Sequence, residues 1–328
     1  MSVNDGNINV TESEAGIPWP DLDHVDLVVI RALQVDGRVP MAGMAKSLGM
    51  SVTTIHQRYE RLRQRGLVRA TALIDPAVMG RDVVAQVEAY VRTDVHGAAE
   101  RLAALPEVAW LAIGADLRTV YLQVSTSSHA ELAVLLDSRV RRAPGIVGIR
   151  SSVLLRNWSP VFCFGGFAPA GVAGDALWRP GTKPLRALDE ADLALLRCLE
   201  RDARMTITAM STETGLSVPA TRQRLVKLLA EKVVRLRTRP SPQASEVTVG
   251  RLFIDVDADS ATVAQSIAAL PNISFVSEST GDAALTAELV CASESQIREG
   301  YERACRLPGV AAVRIVRYRE VVVYKGHW

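Results

Sequence analysis

The chain has 328 residues, 48% hydrophobic and 23% charged, with a formal net charge of +2 at pH 7. Those proportions suit a soluble globular protein with room for two or more domains, and no apolar run approaches the roughly 20 residues a membrane span needs. Its four cysteines (Cys163, Cys198, Cys291, Cys305) form no C-x-x-C pair and have no His at ligand spacing. Neither a metal site nor another cofactor is therefore expected.

Residues 1–20 are polar and lack the basic start and apolar block of a signal peptide, so they read as a flexible tail of a cytoplasmic protein. A helix of about twelve residues follows, capped by Asp23 with Asp26 near its positive end. Its Leu27, Ile30 and Leu33 recur at helical spacing. A short helix over 40–48 ends at Gly49, which supplies the turn. Ser51 then caps a third helix in which Val52, Ile55, Tyr59 and Leu62 form the expected buried stripe. Thr53, His56, Gln57, Arg58, Arg61 and Arg65 are left on other faces, with Thr54 in the first turn. This is a helix-turn-helix over residues 21–72, and its basic last helix suits the major groove. Arginines meet phosphate charge, while Arg, Gln and Thr can read base edges.

The period then changes. Val83, Ala85, Val87, Ala89 and Val91 alternate as in a half-buried strand. A helix from Asp94, strands near 108–113 and 118–124, a helix over 128–141 and a strand over 146–155 complete a β-α-β-β-α-β order. That is the ferredoxin-like arrangement, assigned to residues 73–158. The stretch 159–187 is a linker by its Gly and Pro content. Its aromatics, with the neighbouring Trp158, suggest either a segment packed on the surface or a pocket.

The pattern then repeats. Displaced by 166 residues, Leu22, Asp23, Asp26, Asp36 and Arg38 meet identical residues at Leu188, Asp189, Asp192, Asp202 and Arg204. Gly49, Ser51, Gln57, Arg58 and Leu62 likewise meet Gly215, Ser217, Gln223, Arg224 and Leu228. A second helix-turn-helix is thus assigned to 188–240 and a second ferredoxin-like domain to 241–328. The fold class is α+β: two repeats, each a winged-type helix-turn-helix domain followed by a βαββαβ domain. Candidate DNA-binding residues are Ser51, Thr53, Thr54, His56, Gln57, Arg58, Arg61 and Arg65 in the first copy. In the second they are Ser217, Ala220, Arg222, Gln223, Arg224 and Lys227.

The L-D-x-x-D opening (Leu22-Asp23…Asp26), Asp36-Gly37-Arg38, Gly49-Met50-Ser51 and Arg58…Leu62 together resemble the Lrp/AsnC family of bacterial transcription regulators. The resemblance implies a cytoplasmic, nucleoid-associated protein that binds double-stranded DNA and self-associates through its ferredoxin-like domains. It also implies an amino acid or related small metabolite as effector. Gly114, Ala115 and Asp116, with Gly281 and Asp282, match the family's hairpin loop and are the candidate effector residues. By local chemistry the same residues are simply turn formers. Two units in one chain imply a covalent pseudo-dimer, and the diverged helices imply an asymmetric operator. The pairs Thr54/Ala220, His56/Arg222 and Arg61/Lys227 carry that divergence.

Some relatives on the same two domains are sirohaem decarboxylases, with a His near the hairpin and a Tyr-Asn-Leu-Trp-like run. Neither feature occurs in "VAWLAIGADLRTVYLQV" or "ISFVSESTGDAALTAELV", so a non-enzyme is expected. A sensor of amino acids that does not bind DNA is the other alternative.

Overall fold

The computed structural model describes residues 22–35, 37, 39–158, 187–240, 248–291 and 293–324. The expected N-terminal tail and the linker aromatics Phe162, Phe164, Phe167 and Trp178 lie outside them. Trp158, just before the linker, is buried in the second ferredoxin-like core.

The first unit opens with three helices: α1 (His24–Val35), α2 (Met41–Ser47) and α3 (Val52–Gln64). Ile30, Leu33, Met44, Ile55, Tyr59 and Leu62 close their shared core. Each buried aliphatic side chain there contributes about 1.5–3 kcal/mol of transfer free energy. Gly49 takes φ +63 between α2 and α3, where a side chain would be strained. The second unit repeats the arrangement with α6 (Glu190–Arg201), α7 (Ile207–Thr214) and α8 (Val218–Ala230), turning at Gly215 with φ +69.

Where a wing was expected, each unit supplies a single strand, and the two strands pair with each other. β1 (Val68–Ile74) runs antiparallel to β6 (Val234–Pro240), from Val68 opposite Pro240 to Ile74 opposite Val234. The strands are also crossed between the helical cores. Ala72 and Ile74 of β1 are buried in the core of the second helix-turn-helix. The Gly37 N–H, at the end of α1, donates to the Leu236 carbonyl at 2.9 Å.

After β1, a single 3-10 turn (Pro76–Met79) leads into the first sheet. Its elements are β2 (Val83–Val91), α4 (Val95–Ala103), β3 (Val108–Gly114), β4 (Thr119–Thr126), α5 (His129–Val134) and β5 (Ile146–Asn157). Between α5 and β5, Leu135–Val140 wind as a π-helix, so the expected second helix of the sheet changes pitch midway. The second sheet has β7 (Thr248–Val256), α9 (Ser260–Ala268), β8 (Ile273–Ser279), β9 (Leu285–Cys291), α10 (Glu294–Cys305) and β10 (Val310–Tyr324).

The two sheets do not stand apart. Their edges join, β5 to β8 and β10 to β3, into a closed barrel of order β10-β3-β4-β2-β5-β8-β9-β7. Closure removes the unpaired edges that each sheet would expose alone. β10 spans one seam by itself: Val310–Arg317 pair with β7, and Tyr318–Tyr324 pair with β3.

Alternation along the strands sorts side chains to two sides. Leu111 and Ile113 enter the outer core beneath α4 and α5, whereas Trp110 and Ala112 face the barrel interior. That interior mixes aromatic and polar groups. Trp110 and Tyr121 pack on Tyr318 at centroid distances of 5.0 and 5.2 Å. The Arg251 guanidinium lies 4.8 Å over Trp110 and 3.5 Å from the Glu288 carboxylate. Burial pushes the Tyr318 phenol well above its ordinary pKa and the Tyr121 phenol up to about 12. Both are neutral hydroxyls at physiological pH.

Candidate nucleic-acid interface

The two recognition helices start alike. Ser51 Oγ accepts the Thr54 N–H at 3.0 Å, and Ser217 Oγ accepts the Ala220 N–H at 3.3 Å. Each serine satisfies one of the donors left open at a helix start. Ile55, Tyr59 and Leu62 form the inward stripe, as do Thr221, Leu225 and Leu228 in α8. Val52 does not join it. It is 43% exposed, because at the first helical position it projects beyond the contact with α1 and α2.

The expectation that Arg58 and Arg224 are groove readers is not what the structure arranges. Arg58 Nη1 donates to Asp23 at 2.6 Å and to Asp26 at 2.9 Å. Arg224 Nη1 makes the same bonds to Asp189 and Asp192, at 2.8 and 2.9 Å. Arg61, half exposed, joins the first cluster through Asp26 at 2.5 Å. The L-D-x-x-D and R-x-x-x-L motifs are therefore two ends of one latch that fixes each recognition helix to the first helix of its domain, α3 to α1 and α8 to α6. Asp26 and Asp192 are fully buried, which makes these charge-assisted bonds obligatory. The Asp26 N–H and the Arg58 guanidinium hold the Asp23 carboxyl below its usual range. The Asp192 N–H and Arg224 do the same for Asp189.

Thr53, His56 and Gln57 of α3 and Arg65 just after it remain exposed, as do Ser217 just before α8 and Arg222, Gln223 and Lys227 within it. Lys227 lies 3.9 Å from Glu231. Thr54 is half-buried, with its hydroxyl 2.8 Å from Ser51 Oγ. Gln57 and Gln223 are equivalent and identical, while His56 faces outward where the other helix has Arg222. The outward chemistry of the two helices thus differs at Thr53/Pro219, His56/Arg222 and Glu60/Val226. Arg204 ties the two domains together by lying 4.7 Å over the Tyr59 ring of α3. Both motifs of the latch recur in both copies of the sequence, but only the structure shows that they meet.

The candidate effector residues lie at the two seams of the barrel. Asp116 accepts from the Arg118 and Thr119 N–H groups and the Thr119 hydroxyl, at 3.0, 3.1 and 2.7 Å. Burial works to raise its pKa, and these hydrogen bonds outweigh that and hold it low. The Ala115 N–H donates to Arg317 of β10 at 2.8 Å. A Cβ on Gly114 would come within 2.7 Å of Asp116 Oδ1, so only glycine fits that close turn. At the other seam Gly281 takes φ +95 against Ser152, and Asp282 pairs with Arg150 at 2.9 Å. The carboxylates of both loops are engaged within the fold. Among the described residues, no cluster of His, Cys, Asp and Glu could hold a metal, and no helix is long and apolar enough to cross a membrane.

A model of the AsnC-type helix-turn-helix domain matches residues 22–63 and again 188–229. An uncharacterised HTH-type transcriptional regulator of Pyrococcus furiosus is 31% identical over 141 residues, covering 42% of this chain and 95% of that protein. The chain belongs to the Lrp/AsnC family. The regulatory protein AsnC of Haemophilus influenzae is 29% identical over 140 residues, covering 42% of this chain and 93% of its own. Such relatives correspond to one unit, and this Lrp/AsnC chain carries two. A solved structure of the sirohaem decarboxylase NirDL matches 92% of this chain and 93% of that one, with a TM-score of 0.59 and 14% identity. At that identity the likeness is one of fold: two fused units with the same architecture.

Proposed function

We propose that this Lrp/AsnC regulator works as a covalent pseudo-dimer that places α3 and α8 in successive major grooves of an asymmetric operator. The observation that carries the reading is the pair of Ser-capped, latched helices, alike in frame but bearing His56 on one and Arg222 on the other. Phosphate attraction comes from the exposed basic residues around each helix, and base reading from His56, Gln57, Arg222 and Gln223. Among the remaining candidates, Ser51, Ser217, Thr53, Thr54, Ala220, Arg65 and Lys227 serve positioning and backbone contact. Arg58, Arg61 and Arg224 hold the helices. Regulation by a small metabolite is part of the proposal, with the Gly114–Asp116 and Gly281–Asp282 loops as the place the family resemblance implies.

Footprinting of the full chain on the DNA flanking its own gene, at physiological salt, tests the reading. Two unlike protected half-sites, separated by about 10 bp or a multiple, are expected. Protection of a perfect palindrome would refute the asymmetry. Loss of all protection in a pool of random duplexes, even at low salt, would refute DNA binding itself.

The likeness to the decarboxylase supports a second reading, an enzyme on this fold. The hairpin strands of both units lack the His expected of such an enzyme and carry Tyr121, Glu278 and Glu288 among their titratable groups. Mixing the protein with sirohaem decides it: a bound porphyrin absorption band, followed by loss of carboxyl groups, would establish the enzyme.

A further inference from the structure

A cavity of about 170 Å³ lies where the helix-turn-helix clasp meets the barrel. It is lined by the segment after β1, by β2, β4 and the end of β5, and by β8 of the second unit, and opens to solvent on one side. It is therefore built from both halves of the chain. An engineered cavity of roughly 150 Å³ takes up a benzene-sized molecule, so this one suits a ligand of similar bulk.

Its polar floor includes Gln123, 1% exposed, whose Oε1 has no hydrogen-bond partner. A buried acceptor left unpaired is costly, and its position on a cavity makes it available to a ligand donor as well as to the unpaired Gln86 amide opposite it. The walls carry both signs of charge. Asp82 is exposed at the mouth, and Arg81 and Arg156 stand nearby. Among the described residues each arginine pairs with one carboxylate: Arg81 meets Glu200 at 2.7 Å, and Arg156 meets Glu278 at 3.4 Å. A guanidinium has five donors, so one such pairing leaves others for a ligand. Leu154 and Phe275 supply an apolar side.

We propose that this cavity binds a small zwitterion. Its ammonium meets Asp82 and the Gln123 carbonyl, and its carboxylate meets Arg81 and Arg156. The site is apart from the hairpin loops, and the proposal rests on the reading of the chain as a regulator modulated by a small metabolite. It also gives that modulation a direction. Glu200 belongs to α6, so a ligand carboxylate bound by the other donors of Arg81 divides the guanidinium's attraction with Glu200 and loosens the link between the barrel and the second helix-turn-helix. The effect of the ligand then falls on the second half-site more than on the first.

The test screens the full chain against the twenty common amino acids, by thermal melting and then titration calorimetry. At least one probe should bind with one site per chain. Asp82→Asn and Gln123→Leu should each weaken it at least tenfold, and Asp82→Asn, on an exposed side chain, leaves the fold intact. A matched amine or carboxylate lacking the other charge should bind at least tenfold more weakly. With the bound probe, footprint protection should fall at one half-site before the other. Unchanged affinity in both variants would overturn this site while leaving a metabolite-modulated regulator standing. Equal binding of the carboxylate alone would overturn the zwitterion. An equal change at both half-sites would overturn the coupling through Arg81. No binding by any probe would remove the metabolite reading and this site with it, leaving DNA binding to stand on its footprint.

Discussion

The helices α3 and α8 share a frame and differ on their outer surface. Both are capped by a serine, fixed by an arginine to two aspartates, and seated on a buried stripe three and four residues apart. Outward, one presents Thr53 and His56 where the other presents Pro219 and Arg222. The capping serine, the latching arginine with its two aspartates, and the last stripe leucine are kept. The stripe changes at Ile55/Thr221 and Tyr59/Leu225, and the solvent side changes at Thr53/Pro219 and His56/Arg222 but not at Gln57/Gln223. Identity between copies is thus fullest at the cap and the latch. The barrel interior shows the same contrast in a buried setting. Gln86 opposite Gln123 in the first sheet becomes Arg251 opposite Glu288 in the second.

That interior pair supplies the largest expected effect. Glu288→Leu leaves the Arg251 guanidinium buried without its carboxylate and should cost on the order of 3–5 kcal/mol in urea unfolding of the full chain. Gln86→Leu, at the position equivalent to Arg251, removes an amide whose Nε2 has no partner and should change stability by less than about 1 kcal/mol. Equal costs would show that the two interiors are not different in kind.

The latch comes next. Arg224→Ala strips a charge-assisted bond from buried Asp192 and should cost about 2 kcal/mol, discounted because the arginine is partly exposed. Arg58→Ala should cost about half as much, since Arg61 still reaches Asp26 at 2.5 Å, whereas its counterpart Lys227 turns to Glu231. The melting temperature without DNA is the readout. An unchanged melt with lost footprint protection would return both arginines to the groove.

The latch also sets an acid response. The carboxyls of Asp23 and Asp189 titrate lower in the folded chain than the ordinary value near 3.9. Their contribution is thus complete above that value and is lost as pH falls through the lower folded values. Asp23→Asn and Asp189→Asn should flatten the fall of stability below about pH 4 while lowering stability at neutral pH. A pH titration of the melting temperature checks both changes.

Much of this frame is legible in the sequence. Gly49, Ser51 and the Ile55–Tyr59–Leu62 spacing announce α3, and the alternation from Val83 to Val91 announces β2, because each signal is local. The clasp is not legible in that way. "VRATALI" and "VRLRTRP" are short and lie just after helices, and only the other copy gives either one a partner. The seams have the same character. Nothing near Gly114 says that its loop rests on Arg317, because that contact depends on how far β10 runs past the edge of its own sheet. Contacts between units were the part hidden from a reading of each unit alone. The latch stands between these cases: both of its motifs were visible, and their meeting was not.

DNA affinity sharpens the comparison of outer surfaces. Arg222→Ala should weaken binding about 5–10-fold and relax sequence preference in one half-site, as the loss of a base contact would. His56→Ala should relax the other. A uniform loss across sequences, with the salt dependence reduced by about one, would make Arg222 a phosphate contact.

The smallest difference concerns the caps. Ser51 Oγ meets both the Thr54 N–H at 3.0 Å and the Thr54 hydroxyl at 2.8 Å, whereas Ser217 Oγ meets only the Ala220 N–H among the described residues, at 3.3 Å. Loss of a serine cap costs about 0.5–2 kcal/mol, and geometry decides where in that range a cap falls. Ser51→Ala should therefore cost about 1 kcal/mol and Ser217→Ala about half that. Pro219 supports the ordering, because a proline in the first turn already restricts the backbone there and reduces what its cap must hold. Melting of the two variants side by side, without DNA, measures the difference directly. The reverse order would mean that the shared frame of the helices is held less evenly than their matching bonds indicate.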